Sequence, residues 1–309
     1  MKAVTIPRFG GPEVLTVQEL PDPSPRPDEV VVRVRAATVN PTDLGLRAGA
    51  WPLKTPPPYI PGMELAGTVE AVGAWVTDVR IGMRVLGIVV PQRPAGGAQA
   101  ELVPLPWDSV AEIPEGITWE EAATLPMNGL TVYRALDLLN LPRGATLGVT
   151  GSAGAVGGYA IQMGRERGLR IIADAAPQDV DLIRSLGADT VVERGEEVAA
   201  RMREVYPDGV DALLDASVQG EEVLGAVRDG GQMAVVRGWR GESRRGIQIH
   251  PVSVVDYARN RDALTDLARL AQRGVLTLRV AATMRPAEAG EAHRRFAAGG
   301  VRGRLVILF

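Results

Sequence analysis

The sequence predicts an α/β protein in two parts, an irregular β-rich segment and a doubly wound parallel sheet. Three observations predict it. Residues 1–118 are rich in Pro, Gly and Val, with short alternating runs such as the one over 29–35. The texture changes near Thr118, and from about residue 145 short apolar strands alternate with helical stretches. One strand-to-helix joint in that region is unusually rich in glycine.

In the first part, turn signals at 21–27, Gly49, Pro56–Pro58 and Gly96–Gly97 separate the runs, which reads as a β domain with few helices. At Thr118 a capping-box pattern with Glu121 opens a helix, because the hydroxyl and the carboxylate reciprocally satisfy first-turn amides. Beyond it the expected elements are a strand at Ala145–Thr150, a helix at Gly154–Arg167 and a strand at Leu169–Ala173. A helix at 178–186, a strand at 190–192 and a helix at 196–205 follow, then buried strands at Val210–Asp215 and Gln232–Val236. Strands separated by helices predict a parallel sheet. The tail reads as a strand at Ile247–Val255, an amphipathic helix at Asp262–Arg273, a strand at 276–282, a helix at 286–298 and a strand at 304–309. Such a tail cannot bury a core alone, so it is expected to return to the first part.

Composition narrows the chemistry. At 309 residues and 46% hydrophobic, the chain can bury two cores. A net charge of -3 with both signs interspersed predicts neither nucleic acid nor an anionic membrane as partner. No apolar run reaches the roughly 20 residues of a membrane span, and the start MKAVTIPRFGGPEVL lacks a signal-peptide core. A cytoplasmic location is the expectation. The chain has no cysteine, which excludes disulfides, thiolate catalysis and thiolate metal ligation. His250 and His293 are its only histidines and are well separated, so no metal site is expected. Lys2 and Lys54 are its only lysines, which leaves no plausible Schiff-base residue.

The glycine-rich joint carries the most information. In Gly151-Ser-Ala-Gly-Ala-Val-Gly157, Gly154 and Gly157 occupy the second and third glycine positions of the dinucleotide fingerprint, with Ser152 at the first. Gly154 lets the backbone approach a pyrophosphate, and Gly157 lets the helix lie close to the strand. The N–H groups of Gly151, Ser152, Ala153, Gly154, Ala155, Val156 and Gly157 then form the candidate phosphate cradle. Twenty residues past Gly154 lies Asp174, placed to hold a ribose 2′-OH and so to favour NAD. A register shift of one residue puts Ala175 there instead. No acid then opposes a 2′-phosphate, and Arg194 supplies the counter-charge of an NADPH site. Ser217, just past the strand ending at Asp215, joins the candidate cofactor residues. The expected cofactor is NADPH, with NADH as the alternative.

Several stretches resemble one family. Pro61-Gly-Met-Glu-Leu-Ala-Gly-Thr-Val-Glu-Ala-Val-Gly73 is similar to the P-G-x-[DE]-x-A-G-x-V-x-x-V-G signature of the medium-chain dehydrogenase/reductase superfamily. Asn40-Pro-Thr-Asp43 is similar to the N-P-x-D turn of its zinc-free quinone oxidoreductases. The 120–133 helix, Leu186-Gly-Ala-Asp189 and the ending 301–306 fit as well, so the resemblance covers the chain in the family's order. It implies a GroES-like catalytic domain at 1–118 plus 254–309 and a Rossmann domain at 119–253, with the cofactor in the cleft between them.

Zinc-dependent relatives place a Cys where this chain has Asn40 and a His where it has Met63. In zinc-free relatives the residue matching Asn40 lies near nicotinamide and substrate, and those matching Asn128 and Thr131 approach the nicotinamide half. In those relatives the matching loop, here holding Arg237, Gly238 and Trp239, packs beside it. Gly45, where several relatives have a tyrosine, and the arginine-rich 237–246 loop depart from the pattern.

Without a Lewis acid, an isolated ketone is a poor hydride acceptor. A quinone or enone spreads the charge onto a distant oxygen that hydrogen bonds can hold. Asn40 and Tyr59 are the candidate catalytic donors, and the expected partner is a small conjugated carbonyl substrate. The competing readings are an enoyl reductase acting on a biosynthetic thioester or polyketide intermediate, and a cofactor-binding regulatory protein without turnover. In the family the run matching apolar 247–255 pairs with its counterpart across a two-fold axis, so the resemblance implies a homodimer that would cover this β-prone edge.

Overall fold

The computed structural model describes residues 1–309 apart from Pro52 and Arg240, so Arg240 of the arginine-rich loop lies outside the described residues. The chain forms two compact units. Unit 1 comprises Met1–Met127, Ala258–Gln272 and Leu278–Phe309, and unit 2 comprises Asn128–Tyr257 and Arg273–Thr277. In this division the units part at 127/128 and 257/258, and a short piece of the tail belongs to unit 2.

Unit 1 begins with β1 (Lys2–Thr5) and β2 (Thr16–Glu19), which pair antiparallel. Then come β3 (Glu29–Thr38), α1 (Pro41–Ala48), β4 (Glu64–Val72), β5 (Arg84–Ile88), β6 (Leu102–Pro106) and β7 (Val110–Glu112). The short α2 (Trp119–Ala123) starts at the expected cap: Glu121 donates its N–H to Thr118 Oγ1 at 3.2 Å, and the Thr118 N–H reaches Glu121 Oε2 at 3.0 Å. The longer α3 (Pro126–Leu139) follows, and from Asn128 onward it belongs to unit 2.

Unit 2 is the alternating part: β8 (Thr146–Thr150), α4 (Ala155–Glu166), β9 (Arg170–Ala175), α5 (Val180–Ser185), β10 (Thr190–Glu193), α6 (Val198–Val205), β11 (Val210–Asp215), β12 (Val227–Val235) and β13 (Gln248–Pro251). Its six strands run in the order β10-β9-β8-β11-β12-β13, every pair parallel. The interior strands are apolar on both faces, as a sheet covered by helices requires; Leu147, Val149, Ile171, Ile172, Leu213 and Met233 are fully buried. The strand order reverses at β8, between β9 and β11, which places a ligand crevice beyond the carboxyl ends of those strands.

The tail forms α7 (Arg261–Gln272), β14 (Val280–Met284), α8 (Ala289–Ala297) and β15 (Arg304–Leu308). β15 pairs antiparallel with β3, so the tail joins the unit 1 sheet, in the order β14-β15-β3-β4-β5-β7 with β6 also on β3.

Two expected strands are corrected. Ile247–Val255 shrinks to Gln248–Pro251, because its partner β12 ends at Val235 and Arg237 turns into left-handed backbone at φ 62°. Val254–Tyr257 is a 3-10 turn instead. The 276–282 strand moves to Val280–Met284, where β15 is available to pair. Thr277 is taken up by Gln162, whose amide bonds both its hydroxyl (2.8 Å) and its N–H (3.1 Å).

Unit 1 buries His293, with Nδ1 3.0 Å from Arg47 Nη1. A guanidinium only donates, so Nδ1 accepts and the ring stays neutral. Burial, and then the Arg47 charge, push the imidazole down to about 3. The unfolded chain, with an imidazole near 6.5, therefore binds more protons across that window. The stability contributed by neutral His293 is complete above about pH 6.5 and is lost as the pH falls toward 3. His293→Gln keeps an acceptor for Arg47 but does not titrate. Its Tm is expected to fall less than the wild type's between about pH 7 and pH 5. Equal falls in the two proteins would show that His293 does not set this dependence.

Candidate active site

The glycine-rich turn sits at the carboxyl end of β8. Gly151 adopts φ 68°, and a Cβ there would lie 2.9 Å from backbone atoms of Ala216 and Ser217. The tight-turn role thus falls to Gly151, one residue before the fingerprint position assigned to Ser152. Ser152 is buried and donates its hydroxyl to the Val149 carbonyl at 3.0 Å. Gly154 is the residue before α4, and a Cβ on it would meet only the Gly151 carbonyl, at 3.2 Å. At Gly157 a Cβ would lie 2.4 Å from that same oxygen and 2.6 Å from Ser152 Cα, so the close contact is with the turn itself. The first helical hydrogen bond runs from the Gly158 N–H to the Gly154 carbonyl. The amides of Ala155, Val156 and Gly157 precede it, which is the donor set a helix start offers to an anion.

Asp174 has a partner within the fold. It is buried at the end of β9 and accepts the Ser152 N–H at 2.9 Å. Arg194 is exposed just past β10, and its own N–H bonds the Ala175 carbonyl at 2.9 Å. That bond sets Arg194 beside Ala175. Ser217 lies beyond β11, with its hydroxyl 2.8 Å from Thr150 Oγ1 and 2.9 Å from Asp215 Oδ1. Buried Asp215 also accepts from the Thr150 hydroxyl (2.8 Å), the Ser217 N–H (3.1 Å) and the Gly220 N–H (2.8 Å). Sequence reasoning missed Thr150 and Asp215 as the floor of this edge. An acid closing an otherwise apolar buried strand was the available signal.

Arg237 and Gly238 both take left-handed backbone after β12, and half-buried Trp239 packs on the unit 2 core and against Gly220. The structure thus brings Gly151–Gly157, Asp174, Arg194, Ser217 and the 237–239 loop to one edge of the parallel sheet, at strand carboxyl ends. Asn128 and Thr131 lie buried on α3.

The candidate donors of unit 1 are placed differently. Asn40 is fully buried before α1, where its N–H donates to Asp43 Oδ2 at 2.7 Å. Its amide nitrogen donates to Thr38 Oγ1 (3.0 Å) and Glu64 Oε1 (3.3 Å), and its Oδ1 accepts from Arg304 Nη2. Both amide hydrogens bond within the fold. Glu64 further accepts the Thr38 hydroxyl and, at 2.8 Å, the Met127 N–H, with Arg304 Nε at 3.7 Å. Burial raises the Glu64 pKa against the pull of Arg304. Burial likewise pushes Asp43 up to about 7, although its two oxygens accept N–H bonds from Asn40 and Gly62. Tyr59 is half-buried and stacks on Phe9, with ring centroids 5.4 Å apart and planes inclined by 11°.

A parallel sheet with this strand order and a glycine turn at its reversal point defines a dinucleotide-binding oxidoreductase fold. Residues 26–115 match the alcohol dehydrogenase GroES-like domain, and residues 186–307 match the zinc-binding dehydrogenase family. Human quinone oxidoreductase is 31% identical over 265 residues, 81% of this chain and 76% of that enzyme. The tomato (Solanum lycopersicum) 2-methylene-furan-3-one reductase is 30% identical over 246 residues, 77% of this chain and 62% of that enzyme. A mycobacterial protein solved in complex with NADPH superposes with a TM-score of 0.88 at 28% identity, covering all of both chains. The chain belongs to the medium-chain dehydrogenase/reductase superfamily, in its quinone oxidoreductase branch.

The second family's name raises zinc, and the residues present do not fit it. The chain has no cysteine. Of its histidines, His293 is buried against Arg47 and His250 bonds Gln232 Oε1 at 2.9 Å. Among the described residues no group of three or more His, Cys, Asp or Glu is arranged to hold a metal ion. No described helix is long and apolar enough to cross a membrane.

Proposed function

We propose that this protein is an NAD(P)H-dependent oxidoreductase that reduces quinones or α,β-unsaturated carbonyl compounds without zinc, and that NADPH is its preferred cofactor. The single observation that carries the reading is the glycine turn at the strand-order reversal, with exposed Arg194 set beside Ala175. The quinone and enone reductases among its relatives support the acceptor class.

Bound NADPH would supply the hydride. The first-turn amides of Ala155, Val156 and Gly157 would hold the pyrophosphate, and Arg194 the 2′-phosphate. Asn128, Thr131 and the 237–239 loop are assigned to the nicotinamide half on resemblance alone. With hydride supplied to a carbon conjugated with a carbonyl, the charge would fall on the carbonyl oxygen, and water or a hydroxyl would supply the proton. Of the two candidate donors, Tyr59 is the one not tied into the buried Asn40 network. NADPH oxidation is expected with simple quinones and enones and not with saturated ketones. Rapid turnover of saturated ketones with conjugated acceptors untouched would overturn the reading.

Arg194→Ala is expected to weaken NADPH binding about tenfold, the value of one lost charge-assisted bond, and to leave NADH unchanged. Equal affinities for both cofactors in both proteins would remove Arg194 from the site. We further place the protein in the cytoplasm, as a homodimer through β13. Among the described residues this strand ends the parallel sheet with one edge unpaired, which a second copy would cover. A monomer by light scattering at micromolar concentration would refute the dimer.

A further inference from the structure

We propose that Asp174 is a positioning residue that locks the glycine turn for either nucleotide, and that it is not the reader of the ribose. The inference rests on the cofactor reading above and deepens it. Asp174 lies at the end of β9, immediately beside β8, whose Val149 pairs with Ala173. At 3% exposure its carboxylate is out of bulk water, and its Oδ1 takes the Ser152 N–H. Among the described residues it forms no ion pair.

Ser152 is held from three sides. Asp174 takes its amide, the Val149 carbonyl takes its hydroxyl, and Gly157 packs on its Cα. The Gly154 N–H closes the turn on the Gly151 carbonyl at 3.0 Å. With the Ser152 N–H aimed inward, the anion is left to the first-turn amides of α4, whose direction depends on the turn being fixed. A charged acceptor suits this task, because its hydrogen bonds are roughly twice as strong as neutral ones. NADPH and NADH share the pyrophosphate that these amides would hold. Loss of the lock must therefore weaken both alike, whereas loss of a ribose reader must weaken NADH selectively.

The test compares wild type, Asp174→Ala and Asp174→Asn by titration with NADPH and with NADH, and by amide hydrogen exchange of 150–157 without cofactor. In Asp174→Ala, affinity for both nucleotides is expected to fall about tenfold and the Ser152 amide to exchange faster. Asp174→Asn keeps an acceptor at Oδ1 and is expected to restore protection and most of the affinity. A loss confined to NADH would overturn the proposal, as would a Ser152 amide already exchanging at the unprotected rate in the wild type. The wild-type exchange decides the matter even if Asp174→Ala does not fold. If the wild type binds neither nucleotide, the cofactor reading fails, and the exchange data still decide whether Asp174 fixes the turn.

Discussion

Arg304→Met is expected to lower stability by about 3–5 kcal/mol, a fall in Tm on the order of 10 °C. Arg304 is nearly fully buried and donates to the Val39 carbonyl and to Asn40 Oδ1, with Glu64 also in range at 3.7 Å. Removing it leaves Glu64 and Asp43 buried without the Arg304 charge that lowers the pKa of both. An uncompensated buried charge costs far more than the intact pair contributes. The double variant Glu64→Gln/Arg304→Met, which removes both charges and keeps one acceptor oxygen, for either the Met127 N–H or the Thr38 hydroxyl, is expected to recover part of the loss. Thermal melts of the single and double variants check this. A single variant within about 2 °C of wild type would mean that Arg304 does not carry the network. Asn40→Ala, which breaks bonds to Thr38, Glu64 and Arg304, is likewise expected to destabilise the fold, unlike a simple turn asparagine.

The second large effect is at the glycine turn. Gly157→Ala places a methyl 2.4 Å from the Gly151 carbonyl oxygen and 2.6 Å from Ser152 Cα, and both obstacles are backbone. The helix must move off the turn. That is expected to cost about 1–3 kcal/mol of stability and between tenfold and a hundredfold in cofactor affinity. Gly154→Ala is the control, because its methyl meets only one atom at 3.2 Å and has room to adjust. Its Tm is expected to stay near that of the wild type, while NADPH binding weakens because the methyl lies where the pyrophosphate must approach. If both variants melt alike and bind alike, the two glycines do not divide the work in this way.

Local chemistry made several features legible. Thr118 and Glu121 cap α2 because both partners lie within one turn of chain. The six strands of unit 2 were announced by apolar runs between helices, since strands buried on both faces need apolar residues throughout. Strand ends were less legible. The 247–255 run is β-prone along its length, yet β13 pairs over four residues because β12 offers no more. At 276–282 Gln162 and β15, both distant in sequence, decided which residues extend.

The sequence by itself determined the α/β class, the glycine turn and the absence of thiolate chemistry, because composition and short-range spacing carry those. Only the tertiary structure decided what the site's polar side chains do. A sequence shows that Asp174 ends a strand, but not that its carboxylate turns to the Ser152 amide. It shows that Asn40 precedes a proline, but not that Glu64 and Arg304, 24 and 264 residues away, claim its amide. A buried polar group must bond to whatever the fold sets beside it, and those neighbours come from strands far apart along the chain.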